Sequence, residues 1–330
     1  MIIYSGPVII FKTLVLLFLV SPFFYVNEVH AETDNGFDLS KSIVPRSEIF
    51  SGGPPRDGIP ALTDPEFISI GKADWMNDKS RVLGIYINGI AKAYPLEIMN
   101  WHEIVNDTIG NKHILITYCP LCFSGIAFDP VFNGERHLFG VSGLLYNSDV
   151  LLYDRKTNSL WSQIMSRAVT GQYVNKKLTP IPIENTTWRD WQSKYPDTLV
   201  LSKNTGSFRN YERDPYIDYR QSSETMFPVK FRAQGYHPKE LVLGITINNK
   251  SKAYPISELS RTNGFINDKI AGEHIYINFN KNEISGTILD SECNPLPATT
   301  LFWFAWYTFH PDTEIFKASK IDQALNHEHC

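Results

Sequence analysis

The sequence predicts an α+β chain, β-rich and mostly antiparallel, made of two degenerate repeats packed as one pseudo-twofold body. Three observations predict it. Short alternating apolar runs are punctuated by Asn-Gly and Pro turns. One block recurs: Val82-Leu83-Gly84-Ile85-Tyr86-Ile87-Asn88 followed by Ala91-Lys92-Ala93-Tyr94-Pro95 returns as Val242-Leu243-Gly244-Ile245-Thr246-Ile247-Asn248 followed by Ser251-Lys252-Ala253-Tyr254-Pro255. Over 330 residues, 43% hydrophobic, 13% aromatic and 20% charged, the composition supplies a large core and excludes disorder.

At the N-terminus, Lys12 precedes the apolar run Thr13 to Val20, and Val29-His30-Ala31 forms a small-x-small cleavage pattern, so residues 1–31 read as a signal peptide. An uncleaved anchor is the alternative, although the run is shorter than the roughly 20 residues that span a bilayer. Either way the domain is expected outside the cytoplasm, periplasmic or extracellular. It is an integral membrane protein only if that anchor is kept. Residues 32–55 form a polar lead-in ending in Ser51-Gly52-Gly53-Pro54-Pro55. The first repeat is expected over 56–235 with an insertion near 130–187, and the second, degenerate repeat and tail over 236–330.

Within a unit, Arg81 to Ile87 alternates and Asn88-Gly89 supplies the positive φ values of a tight hairpin turn. Pro95 opens a short helix, Leu96 to Val105. A polar turn, Asn106 to Lys112, leads to strands His113 to Tyr118 and Phe123 to Asp129. Further pairs fit the duplication: Asn106-Asp107 with Asn267-Asp268, Gly125 with Gly286, and Trp188-x-x-Trp191 with Trp303-x-x-Trp306. Positions kept in both copies are candidates for folding, and those present once are candidates for chemistry. Trp101-His102-Glu103, Cys119 and Cys122 exist once, facing Arg261-Thr262-Asn263, Asn280 and Glu283. The insertion also exists once, and its Ser142, Tyr146, Asn147 and Asp149 are candidates to line a cleft beside the thiols; a hairpin with a polar turn explains them equally.

Three chemistries fit Cys119-Pro120-Leu121-Cys122. A thioredoxin-like site needs a helix after the first thiol, whereas Phe123 to Asp129 reads as strand. A metal knuckle between strands points both thiolates at one ion, with His102 and Glu103 as further ligands. Copper or zinc suits that donor set, iron less well. A structural disulfide is the third, in a non-catalytic module that binds a ligand or partner. Cys293 and Cys330 could form another disulfide, and His327-Glu328-His329-Cys330 reads as a frayed end. A net charge of −4 and a pI near 6.1 give no footprint for nucleic acid. No Gly-x-Ser-x-Gly elbow, phosphate loop or HExxH occurs, so no nucleotide cofactor is expected. The expected partner is a small molecule or an envelope protein.

The segments Asp57-Gly58-Ile59-Pro60, Lys92-Ala93-Tyr94-Pro95, Asn100-Trp101-His102-Glu103, Thr117 to Cys122, Phe139 to Asp149, Tyr153-Asp154-Arg155 and Leu160-Trp161-Ser162-Gln163 are similar to those of a bacterial and archaeal family, DUF3179, a domain of unknown function. The resemblance covers about residues 56–315 and implies a shared fold without a named reaction. Phe123 departs from it, since a small or polar residue is expected after the second cysteine.

Overall fold

Asn88 and Gly89 adopt φ of 51° and 83°, the left-handed pair that a type I′ turn requires. They join the strands Arg81–Ile87 and Ile90–Pro95. The same hairpin recurs as Leu241–Ile247 and Lys250–Pro255. A computed structural model describes residues 1–2, 33–232 and 234–319 of the chain. The segment read as a signal peptide and the tail from residue 320 lie outside the described residues. Among these, no helix is long and apolar enough to cross a membrane.

The described body is β-rich with five short α-helices, and its pairings are antiparallel except for three. Five sheets of three to five strands are arranged like the blades of a five-bladed propeller. The first is ordered Glu184–Thr187, Arg81–Ile87, Ile90–Pro95, Leu199–Leu201, Phe67–Ser69. The second holds Ile104–Ile109, Lys112–Cys119 and Ser124–Asp129, with Leu62–Thr63 and Thr179–Ile181 at its edges. The third comes mainly from the insertion: Phe139–Tyr146, Asp149–Asp154, Leu160–Ser162 and Arg167–Ala168, completed by Ile49–Ser51. The fourth pairs the second hairpin with Thr299–Phe302 and Glu314–Ile315, and the fifth holds Phe265–Ile270, Glu273–Asn280 and Ser285–Leu289.

The expected two-lobed, pseudo-twofold body is therefore not formed. The repeated units do pair their strands alike, the first and second sheets corresponding to the fourth and fifth, but the insertion supplies most of the third sheet, which has no counterpart. An odd number of sheets cannot be halved by a twofold axis. The lead-in is likewise part of the packed body, because Phe37, Leu39, Val44 and Ile49 are buried against Leu144, Tyr146, Tyr153 and Leu160. The helix expected over Leu96 to Val105 stops at His102. Glu103 takes φ 57°, and residues placed in a polar turn pair as the strand Ile104–Ile109.

What both copies retain is structural. Trp191 lies on Gly84 and Trp306 on Gly244, so tightly that a Cβ at either glycine would stand 2.3 Å from a ring carbon. Lys92 and Tyr94 both donate to buried Asp107, at 2.8 and 2.6 Å, and Lys252 and Tyr254 to Asp268, at 2.7 and 2.8 Å. Asn106 works in one copy only: its side chain exchanges hydrogen bonds with the backbone N–H and carbonyl of Phe139, at 2.8 and 2.9 Å, tying the second sheet to the insertion.

Candidate functional site

Strand pairing builds the CPLC turn. Cys119 ends one strand and pairs with Ser124, which begins the next. The turn closes with Cys122 N–H donating to the Cys119 carbonyl at 3.2 Å, and Phe123 takes φ 56°. A strand, not a helix, follows the second cysteine, so neither thiol gains the helix N-terminus that activates thioredoxin-like sites. Phe123 packs on Phe302, and Phe302 N–H donates to the Cys122 carbonyl at 2.9 Å. The second repeat thus braces the turn.

Cys119 and Cys122 are free thiols, both buried. This corrects the expectation of a structural disulfide at CPLC: the two Sγ atoms point at one acceptor, the Ser148 carbonyl, at 3.8 and 3.3 Å. Cys293 is in a disulfide, and Cys330 lies outside the described residues.

Ser148 belongs to the hairpin turn of the insertion, where Asn147 and Ser148 have φ of 53° and 63°. The turn delivers the next residue, Asp149, to the thiols. One oxygen of Asp149 and the two sulfurs lie within 4.8 Å of one another. Asp149 is fully buried. Its Oδ2 accepts from Ser162 Oγ at 2.9 Å and from Ile164 N–H at 3.1 Å, while its Oδ1 has no hydrogen-bond partner among the described residues. Gln163, next to Ser162, bonds Ser124 and Thr117 on the thiol-bearing strands, which fixes the insertion against the turn.

A model of the family described as a protein of unknown function, DUF3179, matches residues 56–292. The chain belongs to the DUF3179 family. No curated protein and no solved structure matches it. The motifs shared with DUF3179 now have places. Asp57 accepts from Tyr153 and Arg155, Asp154 accepts from Trp161 Nε1 at 3.1 Å, and Ser162 and Gln163 hold the site.

The other residues singled out in this DUF3179 chain separate by position. His102 is buried with both ring nitrogens engaged, one with the Pro60 carbonyl and one with Tyr211 Oη, each at 2.7 Å. It lies outside the Cys119–Cys122–Asp149 group. Glu103 lines a small cavity, about 90 Å³, together with Cys119, Tyr216, Met226 and Phe227. Ser142 bonds the backbone of Leu151 and Leu144 at a bulge. Tyr146 packs on Phe309, and Asn147 accepts from Lys230 N–H at 2.8 Å.

Burial dominates the electrostatics. It pushes Asp149 up to about 7. It pushes Glu103 up to about 8, with the Asp149 charge adding to the effect. Burial first, then its bond to and charge from Cys119, raise the Cys122 thiol well above its ordinary range. A cation stands near: Lys239, lowered to about 8 by burial, donates to the carbonyls of Tyr219, Ser222 and Glu224 and lies over the Tyr219 ring. Tyr219 in turn donates to the Leu121 carbonyl at 3.1 Å. The Cys122 thiol and two carboxyls are thus held where losing protons is costly unless a positive charge enters with them. Lys239 and Tyr219 were not assigned to the site from the sequence, and neither carries a local signal for it.

Proposed function

We propose that this chain binds a transition-metal ion through Cys119, Cys122 and Asp149, with Glu103, which lines the adjoining cavity but lies outside that group, as the proton carrier beside the ion. The observation that carries this reading is that two free thiols and one oxygen of fully buried Asp149 lie within 4.8 Å of one another. Ligand atoms around a tetrahedral ion with bonds of about 2.0–2.3 Å stand roughly 3.3–3.8 Å apart, and the three atoms lie within 4.8 Å. Two thiolates and a carboxylate suit zinc best, and copper remains the competing ion. The cavity bordered by Cys119 and Glu103 gives a small ligand a path to an incomplete coordination sphere, as in catalytic and carrier sites.

Export through the N-terminal apolar run belongs to the same proposal, because an oxidising compartment would favour a metal-protected dithiol over a bare one. A small molecule or an envelope protein is the proposed partner. Metal content decides the matter. Protein purified without chelator should carry about one zinc or copper per chain, lost in the Cys119→Ser, Cys122→Ser double variant. A metal-free parent, or equal metal in both proteins, refutes the proposal.

A further inference from the structure

A second cavity lies across the strand Lys112–Cys119 from the thiols. Side chains alternate along a strand, so Tyr118 points away from the face that presents Cys119. The cavity has a volume of about 320 Å³, and Tyr118, Asn100, Arg81 and Arg220 line it. Tyr118 is fully buried and Asn100 nearly so. Tyr118 Oη and Asn100 Oδ1 are buried and have no hydrogen-bond partner among the described residues. Buried polar atoms are nearly always paired, since an unmade bond forfeits the hydration it replaced. Two residues that line one cavity each carry such an orphan beneath its wall, and a ligand entering there would supply the missing partners once the wall gives slightly.

The charges around the orphans are positive on one side. The guanidiniums of Arg220 and Arg81 are the cationic neighbours that act on the Tyr118 hydroxyl. Arg81 is held in place by Asn185 and by the carbonyls of Glu283 and Ile284, so it supplies fixed charge. Arg220, which also lines the cavity, pairs with Asp214. Of the remaining acids, Glu97 already accepts from Ser80 Oγ at 2.7 Å, and Glu212 lies on the lining.

We propose that this cavity binds a small molecule bearing an oxyanion, a carboxylate or phosphate, which accepts from Tyr118 Oη and Arg220, with Asn100 Oδ1 taking a donor where the ligand carries one. The volume sits at the small end of ligand pockets, about 300–1,000 Å³, which fits a small metabolite and excludes a dinucleotide. The inference is independent of the metal site on the other face. The test titrates the full-length protein with succinate and, separately, with inorganic phosphate up to about 10 mM, by calorimetry, beside Arg220→Gln and Tyr118→Phe. Tyr118→Phe gives up a hydroxyl with no protein partner, so it should fold normally and carries the test alone if Arg220→Gln does not fold. Binding of either probe is expected, weakened about tenfold or more in each folded variant, with metal content unchanged. Succinate alone identifies a carboxylate site, phosphate alone a phosphoryl site. No binding of either probe, or binding unchanged in the variants, overturns the proposal.

Discussion

Removing the shared acceptor of the two duplicated networks should have unequal consequences. In the first repeat, Asp107→Ala strips Lys92 of its only carboxylate among the described residues. The ammonium then keeps one carbonyl, Thr108 at 3.1 Å, and the Phe67 ring at 3.8 Å, and the Tyr94 hydroxyl loses its partner at 2.6 Å. Side-chain exposure there is 10% for Lys92 and 4% for Asp107. Breaking a buried pair from one side costs about 3–5 kcal/mol. In the second repeat, Asp268 is 20% exposed and Lys252 has a second carboxylate, Glu314, at 3.8 Å. Water and Glu314 take over, so Asp268→Ala should cost about 1–2 kcal/mol. Guanidinium unfolding of both variants at equal slope gives the two losses. Equal losses, or a larger one at Asp268, would show that burial of the first network does not set its strength.

Other perturbations follow from the same structure. Gly84→Ala and Gly244→Ala each force a methyl into an indole ring, and each should lower stability by about 1–3 kcal/mol or more; an unchanged melting midpoint would contradict the packing described. His310, packed on Trp306 and bonded to Ser251, is held down to about 4 by burial. The unfolded chain takes up its proton near pH 6.5 and the folded chain does not. His310 should therefore contribute fully above that pH and lose at most about 3 kcal/mol as pH falls toward 4. Stability profiles of the parent and His310→Gln should keep a constant separation above pH 7, and below it the parent alone should lose stability; a separation unchanged down to pH 4 would refute this. Ser162→Ala frees the Asp149 carboxylate to rotate and should weaken metal binding about 10–100-fold in chelator competition, while the fold is retained.

Local units were legible in the sequence because turn chemistry and alternation are local. Asn88-Gly89, Pro95 and the strand after Cys122 each specify their backbone from a few neighbouring residues. The duplication marked Trp191, Gly84, Lys92 and Asp107 as folding positions, repeated as Trp306, Gly244, Lys252 and Asp268, but which of them touch only the structure shows. The assembly was not. Repetition shows that two units fold alike but says nothing of a third element, and the insertion completes its sheet with Ile49–Ser51 from the lead-in. The site shows the same division. The cysteine pair and Asp149 were both singled out, yet their meeting depends on Asn106, Ser162 and Gln163 docking one sheet on another. His102 looked like a ligand from its place beside Glu103, but Pro60 and Tyr211, distant in sequence, take both of its nitrogens.

X-ray absorption at the zinc edge, on protein loaded with one equivalent of zinc, tests the central claim most directly. Two sulfur atoms at about 2.3 Å and oxygen at about 2.0–2.2 Å are expected around the ion, with one sulfur lost in Cys119→Ser and an oxygen in Asp149→Ala. A first shell of nitrogen and oxygen alone would contradict it.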